Sequence, residues 1–121
     1  MGRASFAAAP MPYIKAEYRA ALDPKIAQLA RGIADLARSL PDETAFAGLL
    51  NYACTSLAMQ VVELRFGKLR YGTIATVTGV FKNIADEFYR RVAAPYEDRQ
   101  IEINGDLTQY EWATKRLRDP R

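Results

Sequence analysis

Nineteen consecutive residues, Thr44 to Val62, carry no charge. A stretch this apolar has to be part of a folded element. Phe46, Leu50, Ala53, Leu57, Val61 and Leu64 recur at steps of three and four, which predicts a helix with one apolar stripe. Leu49, Tyr52, Met59, Val62 and Phe66 lie on the adjacent face and form a second. Two stripes are more apolar surface than one packing partner covers. The surplus predicts self-association, most simply a twofold dimer with the second stripe at the interface. Asn51, Thr55, Ser56 and Gln60 interrupt the run, where a membrane span should be nearly continuous, so no membrane insertion is expected. The pattern also predicts Asn51 and Tyr52 as a buried polar pair fixing helix register, and Cys54 as a small core residue.

Four further segments read as helical. Lys15 to Leu22 is expected to form a short turn. Asp23-Pro24 then reads as an N-cap and first helical position, followed by Ile26, Leu29, Ile33, Leu36 and Leu40 on one face, with Pro41 closing the helix. Gly67 suits the left-handed residue that ends the uncharged helix. After Lys68 to Gly72, the β-branched stretch Thr73 to Thr78 could be strand. Ile74, Val77, Phe81, Ile84, Phe88 and Val92 nevertheless continue a helical stripe for five turns, and the longer pattern favours helix. Gly79 within it would be tolerated if a neighbouring helix approaches closely. Pro95 is expected to kink or restart the helix, and Asn104-Gly105 to end the following turns.

A chain of 121 residues, half of them hydrophobic, suits one domain. The expected layout is a disordered extension over residues 1–10, a single helical domain over 11–106 starting at Met11, and a basic, aromatic tail over 107–121. No secretory signal pattern precedes the domain. One cysteine gives no disulfide framework, so the cytoplasm is the expected compartment. The chain has no histidine, which removes Ser-His-Asp, Cys-His and His-ligated zinc chemistry together. Catalysis would have to rest on carboxylates, Lys, Tyr or a bound metal.

Three separated stretches carry a resemblance. They are Met11-Pro12-Tyr13-Ile14-Lys15, then Leu50-Asn51-Tyr52, then Glu87-Phe88-Tyr89-Arg90-Arg91-Val92-Ala93-Ala94-Pro95-Tyr96-Glu97-Asp98 with Asn104-Gly105-Asp106 behind it. Through them the chain resembles a group of short, uncharacterised phage and bacterial proteins. The resemblance implies a phage or prophage origin and brings no reaction, ligand or catalytic residue with it.

Candidate sites fall in three places. Around Pro95, Asp86, Glu87, Glu97 and Asp98 could gather about Mg²⁺ or Mn²⁺ in a nucleotide pyrophosphohydrolase-like enzyme. The simpler reading pairs Asp86 with Arg90 and Glu87 with Arg91 as surface ion pairs four apart. Lys68 and Arg70 flank a helix start whose free N–H groups attract anions, and with Arg90 and Arg91 they form the expected anion-binding set. In the tail, Tyr110, Trp112, Lys115, Arg116 and Arg118 could stack on and neutralise single-stranded nucleic acid. Docking of Trp112 and Leu117 onto a core, or disorder, is the simpler alternative there.

The sequence thus predicts an all-α, small antiparallel bundle of three to four helices, dimerising, with Thr44 to Phe66 packed beside Thr73 to Ala94. The expected function is a non-enzymatic, cofactor-free binding protein, acting as a homo-oligomer on a protein partner or an anionic small ligand. Hydrolase and nucleic-acid binder stand as the alternatives.

Overall fold

The computed structural model describes residues 14–118. The extension over 1–10, the start at Met11 and the last three residues of the tail lie outside the described residues. The protein is all-α. The elements in order are α1 (Ala16–Ser39), α2 (Ala45–Phe66), α3 (Tyr71–Phe88), a π-helix (Tyr89–Ala93), α4 (Ala94–Asn104) and α5 (Thr108–Arg118). The chain divides into two compact units, Met1–Phe81 and Lys82–Arg121.

In the first unit, α1 runs through Pro24 without a break, so the expected start at Asp23-Pro24 is not a helix end. The turn expected over Lys15 to Leu22 and the helix after it are one element. Pro24 donates no hydrogen bond to the carbonyl of Ala20, a cost the helix carries because good helix formers flank it on both sides. At the far end, the Leu40 N–H bonds the carbonyl of Ala37 and the backbone turns extended ahead of Pro41, as the sequence leads one to expect.

A short acidic turn then opens α2. The Thr44 N–H and hydroxyl both donate to Asp42 Oδ1, at 2.9 and 2.8 Å. These bonds hold the Asp42 carboxyl below its ordinary pKa, the backbone N–H first and the hydroxyl second. Because the folded value is the lower one, the stabilisation is present above the ordinary carboxylate range near about 4. It is lost as the pH falls through the folded value. Thermal melts of Asp42→Ala should therefore fall below wild type at neutral pH and converge with it in strong acid. A constant gap between the two curves down to pH 2 would show that the carboxylate charge is not involved.

α1 packs against α2, and this is the principal contact between helices of the first unit. Ile33, Ala34 and Ala37 of α1 and Ala45, Leu49, Ala53 and Ser56 of α2 are half-buried. The expected α2 with α3 pair is not the one formed: Ile74 and Phe81 of α3 remain exposed. A helix that is apolar around most of its circumference does not encode which neighbour it takes. The left-handed turn at Gly67, φ 64°, sets the direction in which the chain leaves α2.

The Tyr71–Phe81 stretch is helix, not strand. Its threonines suit that state because their hydroxyls bond back one turn, Thr76 to the carbonyl of Gly72 and Thr78 to that of Ile74, both at 2.8 Å. The close approach expected at Gly79 is not present: a Cβ there would meet nothing within 4 Å.

Among the described residues Val62 alone is buried, at 6% exposure. Asn51 and Tyr52, expected to be buried, are exposed, and so is Cys54. All three lie on parts of α2 that α1 does not cover.

In the second unit the helical path continues from α3 through the π-helix into α4. The Ala94 N–H bonds the carbonyl of Tyr89, five residues back, which is the widened π pattern. Pro95 then stands in the first turn of α4, directly behind the widened turn. The wider turn is thus the form that the expected restart at Pro95 takes. Gly105, φ 86°, ends α4 as expected, and Asp106 accepts the Leu107 N–H at 2.7 Å ahead of α5.

Candidate functional site

The α2–α3 connection brings two cations, a helix start and two hollows together in the first unit. Gly67 adopts φ 64° and donates its N–H to the carbonyl of Glu63 at 2.8 Å, closing α2. The chain then passes through Lys68, Leu69 and Arg70 into α3, whose first turn leaves backbone N–H groups without helical acceptors. Phe66, Lys68, Arg70 and Thr73 line a hollow of about 420 Å³. Met59, Val62, Glu63, Gly67, Lys68 and Leu69 line a second of about 270 Å³. Lys68 is common to both. Two cations beside a helix start and an open hollow make a surface suited to a small anion. Nearby, the Arg65 guanidinium lies over the Phe66 ring at 4.9 Å.

The second pair of expected anion ligands is differently engaged. Arg90 donates to both oxygens of Glu87, at 2.6 and 2.9 Å, a pair three residues apart where the sequence pattern favoured pairs four apart. That bond lowers the Glu87 pKa, and the nearby charge of Arg91 adds to the effect. Lys68 and Arg70 therefore share a hollow, while Arg90 is committed to a carboxylate.

The four carboxylates around Pro95 do not form a metal-binding group. Among the described residues no three of His, Cys, Asp and Glu come together to hold an ion. Glu87 is held by Arg90, and Glu97 accepts the Tyr89 hydroxyl at 2.9 Å. Tyr89 and Glu97 are eight residues apart, and their contact crosses the π-helix. A regular 3.6-residue period does not flag this pair. The signal that could have found it is a proline six residues after a tyrosine in a strong helical pattern, which marks where an extra residue enters a turn.

The hydrogen bond to Glu97, together with the charges of Glu97 and Asp98, raises the Tyr89 pKa above its ordinary value of 10.0. The folded value is the higher one, so the bond contributes at all pH values below the ordinary one and is lost as the pH rises through the folded one. Titration of the phenols by ultraviolet absorbance should show one of the seven tyrosines ionising late. In Glu97→Gln, which keeps an acceptor and removes the charge, that phase should move to lower pH. An unchanged titration would show that Tyr89 does not sit beside Glu97 in solution.

The tail is helical through Arg118. Tyr110, Trp112 and Leu117 are exposed, so the expected docking of Trp112 and Leu117 is not seen among the described residues. The Arg116 guanidinium covers the Trp112 ring at 5.2 Å, occupying a face that a nucleobase would need. Lys115 and Arg118 lie in the last turn, where cations complement the helix dipole.

The residues assigned to the interface also separate. Val62 is buried by its own chain and Leu49 is half-buried. Tyr52, Met59 and Phe66 are exposed, and so is most of the first stripe: Phe46, Leu50, Leu57, Val61 and Leu64. α2 is also long and apolar enough to cross a membrane by length and composition, though it carries Asn51, Thr55, Ser56 and Gln60.

These features define an all-α protein that carries a basic helix–helix connection, surface ion pairs and an exposed apolar helix. The chain belongs to the family described as a domain of unknown function (DUF6899), which matches residues 11–107. Comparison with curated proteins and with solved structures gave no match.

Proposed function

We propose that this chain is a non-enzymatic accessory protein of phage or prophage origin that acts in the cytoplasm as a homo-oligomer. It binds a protein partner or a small anionic ligand. One observation carries the reading: Val62 is the sole buried residue among those described, while large apolar side chains along α1, α2 and α3 face outward. An amphipathic helix in water draws most of its stability from covering its apolar face, so these helices call for a further surface to pack on. The polar residues within α2 favour protein over lipid as that surface. Lys68 and Arg70, beside the start of α3 and on one hollow, supply the place for an anion.

Sedimentation velocity at tens of micromolar should show a species larger than the monomer, and a strictly monomeric mass would overturn the reading. For the anion, inorganic pyrophosphate should raise the melting temperature of wild type and leave Lys68→Ala/Arg70→Ala unmoved. An equal rise in both proteins would remove the assignment of the site.

A further inference from the structure

We infer that α2 pairs with α2 of a second copy in antiparallel orientation, about a twofold axis that crosses the stripe at the level of residue 55. This rests on the oligomeric reading above and specifies its surface. Phe46, Leu50, Leu57, Val61 and Leu64 fall on one side of α2 at about 100° per residue and are between 48% and 86% exposed. Asn51, Tyr52, Thr55 and Glu63 lie on the other side, and Glu63 lines the hollow that includes Val62. Met59 and Phe66 are exposed on that side too, so the stripe is one of two apolar faces of α2, and it is the longer, running from the first turn of the helix to the last.

Pattern and charge both choose the antiparallel arrangement. Placed head to tail about that level, Phe46 meets Leu64 of the second copy, Leu50 comes against Val61, and the half-buried Ala53, at the edge of the stripe beside α1, meets Leu57. Large faces small at the centre, and large faces large only toward the ends, where helices can diverge. The same pairing is made twice, as an isologous contact requires. At the N-terminal end of α2 stand Asp42 and Glu43; at its C-terminal end Arg65, Lys68 and Arg70 outnumber Glu63. Antiparallel pairing sets each acidic end against the basic end of the other copy, whereas parallel pairing would set like against like.

The area is that of a small interface. The five exposed side chains offer on the order of 500 Å², against about 800 Å² per partner in a standard-size interface. Cys54, exposed beside the stripe, and the charged ends add to it.

Cys54 is exposed and one residue from the axis, so it reports the geometry directly. Full-length protein treated with a short bis-maleimide should give a covalent dimer in high yield. Leu57→Glu, at a half-exposed position, should retain its helical circular dichroism, weaken self-association at least 10-fold and abolish the cross-link. Glu43→Lys and Lys68→Glu should each self-associate less than wild type, and their mixture should recover. A monomeric wild type would overturn both this inference and the oligomeric reading. A wild-type oligomer that shows no Cys54 cross-link and is indifferent to Leu57→Glu would overturn this inference alone. Flotation of wild type with phosphatidylethanolamine and phosphatidylglycerol vesicles, lost in Leu57→Glu, would assign the stripe to lipid and overturn the pairing.

Discussion

Replacing Pro24 with alanine is expected to stabilise this protein by up to about 3 kcal/mol, the cost of a proline within a helix. α1 continues through Pro24 from Ala16 to Ser39, so the alanine N–H can donate to the carbonyl of Ala20, which has no such partner while proline is present. Pro24 is exposed, and alanine in its place removes little packing. Part of the gain is returned, because proline also stiffens the unfolded chain by about 0.4–1 kcal/mol. Chemical denaturation read by circular dichroism should give a higher midpoint with an unchanged slope. The opposite sign has a clear meaning: if Asp23-Pro24 begins a helix, proline is well placed there, and Pro24→Ala lowers the midpoint.

Gly67 and Gly79 form a second, paired prediction, because their surroundings match and their backbones do not. A Cβ at either would meet nothing within 4 Å. Gly67 has φ 64°, in the left-handed region, and alanine there should cost about 1–2 kcal/mol. Gly79 is inside α3 with ordinary helical geometry, and alanine there should gain about 1 kcal/mol. Crowding cannot produce this contrast, so opposite shifts in the unfolding midpoint would isolate backbone conformation as the cause. A destabilising Gly79→Ala would show that another surface approaches α3 closely at that point.

Much of this fold was legible in the sequence because helices are encoded locally. The uncharged run and its three- and four-residue steps specify α2, Gly67 and Gly105 specify left-handed or Gly-only backbone, and the long stripe through Ile74 and Phe81 outweighs a β-branched segment. Local signals also misled where two of them coincided. Asp23-Pro24 carries both marks of a helix start, yet the flanking residues favour helix strongly enough to continue through it. Pro95 marks a disturbance, but not its form. A π turn costs one extra residue and avoids the clash, and that choice depends on how the next turns settle.

The candidate site was legible only in part. Lys68 and Arg70 were found because glycine, cations and a helix start lie together in the chain, and contiguous residues stay together however the helices pack. Asp86, Glu87, Glu97 and Asp98 are close in sequence, but their directions depend on the π-helix and on competition from Arg90 and the Tyr89 hydroxyl.

By itself, the sequence determined that the protein is helical, where most of its helices end, and that α2 has more apolar surface than one neighbour can cover. Those properties follow from backbone preference and side-chain period, which act over one or two turns. Only the tertiary structure decided which face of α2 is set against α1, and that Val62 is buried while Phe46, Leu50, Leu57, Val61 and Leu64 remain exposed. The hydrophobic effect has no direction, so a helix apolar on several faces leaves the choice of partner to chain geometry, and the turn at Gly67 and the contact with α1 make that choice.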